Sequence, residues 1–137
     1  RRYAALPVGG LLRCTIGALA LLVASVGWAQ SNSDAVLDKL VAAQRALQNH
    51  RVANPTRPFS VATGEIGDIG ALVGLSKDTL VRRLGGGEGC PYARSPGTCL
   101  LWPLFYLPPD YVGGGPNLVL VLDAMNRGAD AFIVGTQ

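Results

Sequence analysis

Three cysteines and one histidine are the residues of this 137-residue chain best suited to chemistry. Cys14 stands apart in an apolar N-terminal stretch, while Cys90 and Cys99 enclose Pro91-Tyr92-Ala93-Arg94-Ser95-Pro96-Gly97-Thr98. Two prolines and a glycine suit a tight closed loop, and an even pair of cysteines in an oxidising compartment bonds. Closing a loop of about ten residues is worth ~2.7 kcal/mol in the chain-entropy model. Zinc asks for four ligands at short spacing, and only His50 stands within reach of the pair in sequence. A redox centre usually has C-x-x-C, which is absent. We therefore expect a structural disulfide between Cys90 and Cys99 and no metal.

The other candidate chemistries fail on inventory. Nucleophilic hydrolysis needs a nucleophile, a base and an orienting group, and there is no Gly-x-Ser-x-Gly elbow. His50 falls at an expected helix end, where a cation complements the dipole. No spacing among Glu65, Asp68, Glu88 and Asp110 selects an acid–base pair. Gly85-Gly86-Gly87-Glu88-Gly89 follows a helix rather than opening one and lacks Gly-Lys-Ser/Thr, so it does not cradle phosphate. Gly113-Gly114-Gly115-Pro116 has the same deficit and reads as a flexible loop. Asp123, Asn126 and Asp130 resemble part of a calcium loop, but Met125 sits where an oxygen is needed and no bidentate Glu follows. No catalytic, cofactor-binding or metal residue is assigned, and the chain is not read as an enzyme, a small hydrolase ranking only third among the readings.

The elements that carry these residues begin with an address. Arg1, Arg2 and Arg13 precede the uncharged apolar run Ile16 to Ala24, and Gly27-Trp28-Ala29 offers the small-x-small spacing of a signal peptidase site. Residues 1–29 read as a signal peptide cut between Ala29 and Gln30. The alternative is an uncleaved inner-membrane anchor, but Cys14 to Ala29 falls short of the ~20 residues of a bilayer span. Cys14 precedes the apolar run and Gln30 occupies the lipobox position, so no lipid anchor is expected. Removing residues 1–29 takes three of the 12 basic side chains and none of the nine acidic ones, leaving a mature domain near neutrality. Nucleic-acid binding needs clustered Lys and Arg, and Arg82-Arg83 is the only adjacent pair left. Ten Arg against two Lys, with abundant Gly and Ala, point to a GC-rich bacterial source.

Residues 30–137 read as one domain of class α+β: two N-terminal helices packed on a small, about three-stranded antiparallel sheet in a two-layer sandwich. The first helix is expected over 33–49, capped by Ser31-Asn32-Ser33, with Val36, Leu37, Leu40, Val41 and Leu47 as its apolar stripe. An irregular linker follows over 50–74, broken by Asn54-Pro55 and Arg57-Pro58. The second helix is expected over 75–84, with Ser76 as N-cap, Asp78 in the first turn, Arg82 and Arg83 in the last, and Gly85 as the left-handed residue that ends it. Strands are expected over 100–107, 117–122 and 131–134, with Pro103 at an edge or bulge and Gly128 left-handed in the last hairpin. Leu118-Val119-Leu120-Val121-Leu122 does not alternate with polar residues, so both faces of that strand must be dry. The aromatics Trp102, Tyr106 and Tyr111 are the candidate partner-binding residues, with core packing the competing role for Trp102 and Phe105.

Three stretches carry a family resemblance: Gly74-Leu75-Ser76 through Leu84-Gly85, Trp102-Pro103-Leu104-Phe105-Tyr106, and Leu120-Val121-Leu122-Asp123. In order and spacing they resemble, over about residues 70–135, the SmpA/OmlA domain of outer-membrane assembly lipoproteins, and the layout is similar to the repeat unit of β-lactamase inhibitory proteins. The resemblance implies a small α/β sandwich in the cell envelope that binds another envelope protein without catalysis, or a secreted inhibitor or ligand-binding protein on the same scaffold. Periplasmic or secreted localisation follows, with the membrane touched only through the signal segment and no cofactor.

Overall fold

A computed structural model describes the backbone of residues 13–91 and 98–137, and the side chains of 32–91 and 98–137. The chain divides into two units, Arg1–Asn32 and Ser33–Gln137. Helix α1 runs from Arg13 to Ala53, which corrects the expected 33–49 at both ends. Nothing in His50-Arg51-Val52-Ala53 stops a helix. The stop is Pro55, whose ring disfavours helical backbone at Asn54, after Asn54 N–H has made the last bond to the His50 carbonyl at 2.7 Å. At the other end Ser33 does not cap. Its hydroxyl donates to the Ala71 carbonyl at 2.7 Å, a contact across 38 residues. Ala29 and Gln30, the expected cleavage pair, fall within α1, and their side chains lie outside the described residues, as does everything before Arg13. Among the described residues, no helix is long and apolar enough to cross a membrane.

Residues 54–74 are not a linker. They form strand β1 (Phe59–Ser60) and two short 3-10 turns, Thr63–Glu65 and Ile69–Leu72. They place Ile66 and Leu72 in the core at 2% and 0% exposure. Asp68 caps the second turn by accepting from Gly70 N–H at 3.0 Å. Helix α2 is Lys77–Leu84, starting two residues later than the expected 75–84 because Ser76 is the extended N-cap. Ser76 Oγ accepts from Thr79 N–H, and Gly85 closes the helix at φ 87°, as the sequence predicts for both ends. Arg83 clasps α1 by pairing with Asp34 and Asp38, which accounts for one member of the adjacent arginines.

The sheet is larger than expected. Strands β2 (Glu88–Gly89), β3 (Cys99–Pro103), β5 (Pro116–Leu122) and β6 (Gly128–Gly135) form a four-stranded antiparallel sheet in the order β2-β3-β5-β6, and β4 (Phe105–Tyr106) pairs with β1 in a separate two-stranded sheet. The class α+β stands; the three-stranded count does not. The expected strand over 100–107 is divided at Leu104, whose N–H bonds to the Pro116 carbonyl at 2.9 Å and whose carbonyl accepts from Val61 N–H at 2.9 Å. One residue thus ties both sheets together. Pro103 pairs with Asn117. By the alternation of the ladder its missing N–H points away from β5, past the end of two-residue β2, where no bond is lost.

The pleat sorts the aliphatic run as expected. Leu118, Leu120 and Leu122 join Leu100 and Trp102 in a core with Val36, Leu37, Leu40, Leu80 and Leu84 of the helices. Val119 lies on the opposite face in a second cluster with Cys99 and Leu101, against which Cys90 and Val134 pack. Asn117, 4% exposed, also turns to that side and donates to the Gly115 carbonyl (3.1 Å) and Thr136 Oγ1 (3.3 Å). Two glycine expectations need correction. Gly128 is not left-handed; Asn126 takes φ 56° instead, and Gly128 is small because a Cβ there would meet the Leu72 carbonyl oxygen at 3.0 Å. Gly114 and Gly115 are not mere flexible spacers. A Cβ at Gly114 would run into the Thr136 carbonyl oxygen and one at Gly115 into the Phe105 ring, so the chain passes where no side chain fits.

Candidate interaction surface

Three backbone features bring aromatic residues together at the end of α1. The Asn54–Pro58 turn folds the chain back, β1 lays Phe59 opposite Tyr106, and β4 holds Phe105 and Tyr106. His50 Nε2 lies 3.0 Å from the Arg57 carbonyl oxygen, and because a carbonyl only accepts, Nε2 is the donor. The imidazole stacks on Phe59 with ring centroids 4.7 Å apart and lies 6.5 Å from the tilted Tyr106 ring. Tyr106 Oη donates to the Pro55 carbonyl at 2.7 Å, and the Arg51 guanidinium sits 5.6 Å from its ring centroid. The arrangement is a clasp: a cation–π pair, a stacked pair and two bonds to turn carbonyls fix the helix end to β1 and β4. His50 and Tyr106 serve this fold-back, and the sequence carried its signal only in the paired Asn-Pro and Arg-Pro breaks.

Beside the clasp lies a cavity of about 460 Å³ between the Lys39, Ala42, Ala43, Ala46 face of α1 and the segment Phe59–Ala62 with Glu65 and Ile66. It is lined largely by carbon, and among the described residues exposed Lys39 and Glu65 are its charges. Phe59 also lines a second hollow of about 310 Å³ with Pro58, Ser60, Phe105, Leu107 and Gly114.

The three aromatics singled out in sequence have different fates. Trp102 is 4% exposed in the helix-facing core, its indole N–H donating to the Gly85 carbonyl at 3.2 Å, so it is a packing residue and not a surface contact. Tyr106 is half-buried in the clasp. Tyr111 is 50% exposed on a turn that its N–H closes onto the Pro108 carbonyl at 3.0 Å. The neighbouring Val112 is fully exposed, and nothing in its type or spacing marked it in the sequence.

Cys90 and Cys99 are bonded as expected, with Cα atoms 5.4 Å apart. The described carboxylates of the last hairpin act on the backbone. Asp123 Oδ1 accepts from Met125 N–H (2.8 Å) and Arg127 N–H (3.0 Å), and Asp130 Oδ1 from Ala131 N–H (2.9 Å). Among the described residues no group of three or more His, Cys, Asp or Glu is placed to hold a metal. No family model, curated protein or solved structure matches the chain.

Proposed function

We propose that the chain is an exported bacterial envelope protein, periplasmic or secreted, whose folded unit is a non-catalytic interaction module for another envelope protein. The observation that carries the reading is the Tyr111–Val112 turn: an amphipathic ring at 50% exposure and a fully exposed aliphatic side chain side by side. Tyrosine is a favoured contact at protein interfaces. The disulfide supports an oxidising compartment. The unit boundary at Asn32/Ser33 falls just past the proposed cut after Ala29, so cleavage there leaves Ser33–Gln137 whole. The SmpA/OmlA-like order of elements points the same way.

A second reading, a small-ligand-binding or inhibitory protein on the same scaffold, is favoured by the largely apolar cavity beside α1. Two variants separate them. Tyr111→Ser combined with Val112→Asp touches no core residue and should change unfolding free energy by no more than about 0.5 kcal/mol. Under the interaction reading it abolishes photo-crosslinking of an envelope protein from a reactive group at the exposed position 110 of the same turn. Ala46→Leu, which narrows the cavity, leaves that crosslink intact. Loss of crosslinking with Ala46→Leu, and its persistence in the Tyr111/Val112 variant, would favour the cavity reading.

A further inference from the structure

We propose that the open edge of β1 and the alanine face of α1 form a docking groove for an extended, uncharged peptide segment of a partner protein, which joins the small sheet as a third strand beside β1. Ladder parity sets the edge. Phe59 pairs with Tyr106 and Ser60 with Phe105, and the N–H of the next residue, Val61, bonds to the Leu104 carbonyl at 2.9 Å. Backbone groups of an antiparallel strand alternate in direction, so Phe59 and Val61 turn theirs toward β4 while Ser60 turns its N–H and C=O away from it. Among the described residues no bond from outside the ladder meets either group, and Ser60 is exposed. The cavity of about 460 Å³ beside α1 lies against this edge and not against one face of β1. Phe59, Ser60, Val61 and Ala62 all line it, although alternate side chains of a strand point to opposite faces. Four consecutive residues share only an edge. The face that carries Ser60 and Phe105 borders the separate hollow of about 310 Å³.

What fits between the two walls follows from their chemistry. The wall opposite β1 is Ala42, Ala43 and Ala46 of α1, whose short side chains leave the room. Lys39 to Ala46 spans about 10 Å of helix, the length of about three extended residues. A purely aliphatic ligand would cover the Ser60 N–H and C=O without bonding them, which is unfavourable. An extended backbone bonds both, the mode of strand addition to an open sheet edge. Alternate side chains of such a segment turn toward the alanine wall, where small or branched apolar groups fit. The charges at the groove, exposed Lys39 and Glu65, are of opposite sign, so it draws neither an acidic nor a basic segment. The groove is independent of the Tyr111–Val112 turn, and its occupant is a second contact.

The test titrates acetyl-Ser-Ala-Val-Ala-Ser-amide, and its analogues with Leu or Ala at the centre, into the isotopically labelled full chain. At least one of these peptides should give saturable shifts at the Ser60 and Ala62 amides and slow exchange of the Ser60 amide at least about tenfold at saturation. Alternate N–H groups of an extended peptide face β1, so two analogues N-methylated at alternate residues divide. The one whose methyl groups face β1 binds at least about tenfold more weakly, and the other keeps its affinity. Ser60→Pro removes the outward N–H and no ladder bond, and should likewise lose binding. The Tyr111→Ser, Val112→Asp double variant keeps it, so failure of the groove and failure of the turn as a contact are read separately. The groove is overturned if none of the peptides moves the Ser60 amide, and equally if the two N-methylated analogues bind alike.

Discussion

Replacing Leu120 with alanine is expected to lower the unfolding free energy of the folded unit by about 2–5 kcal/mol, against a total of about 5–15 kcal/mol for a domain of this kind. Leu120 is 0% exposed at the centre of β5, paired with Leu100 on one side and Ala131 on the other. It shares a core with Leu37 and Leu40 of α1 and Leu80 of α2. Truncation there removes transfer free energy and leaves a cavity walled by two helices and two strands, none of which can collapse alone. Urea unfolding followed by circular dichroism reads the loss as a lower midpoint with little change in slope. Val112→Ala, at a fully exposed site, is the matched control and should move the midpoint by no more than about 0.5 kcal/mol. Equal effects at the two positions would contradict the assignment of the core.

Trp102→Ala is the second large effect, at about 3–5 kcal/mol. The indole fills the space between the sheet and the end of α2, and Gly87 passes so close that a Cβ there would lie 3.0 Å from the ring. Its N–H satisfies the carbonyl of Gly85, the residue that terminates α2. Trp102→Phe keeps most of the burial but removes the bond to the carbonyl of exposed Gly85, a cost of about 0.5–1.5 kcal/mol. The same unfolding measurement orders the two variants. The result bears on function as well as packing, because a tryptophan serving as a surface contact would be replaceable with little loss of stability.

The features legible in the sequence are those with local causes. Ser76 and Gly85 bound α2 because an N-cap hydroxyl and a left-handed C-terminal glycine act within one turn of the chain. The run Leu118 to Leu122 gave a strand dry on both faces because pleating sends alternate side chains to opposite sides whatever the partners are. The disulfide followed from an even cysteine pair around a loop rich in proline and glycine. What the sequence hid depends on distant contacts. Ser33 looks like a cap, yet its hydroxyl is spent on Ala71. Residues 54–74 look like a linker because Ile66 and Leu72 follow no period, yet both are buried. Strand β2 is Glu-Gly, with no apolar signal at all; it stands one ladder position before the bonded Cys90–Cys99 pair. Gly114 and Gly115 look like slack, and only the approach of Thr136 and Phe105 shows that they are tight. On the candidate surface, Tyr111 was readable from its Asp and Gly neighbours. The His50–Phe59 and Arg51–Tyr106 pairs were not, since they form only when the Asn54–Pro58 turn brings the helix end onto β1 and β4.

Export into an oxidising compartment is tested most directly by intact-mass and N-terminal analysis of the protein recovered from the envelope fraction of a bacterial host. The expected product starts at Gln30 and has the mass of a chain lacking both thiol hydrogens of Cys90 and Cys99. A product that retains the segment Arg13 to Ala29 and carries Cys90 and Cys99 as free thiols would contradict it.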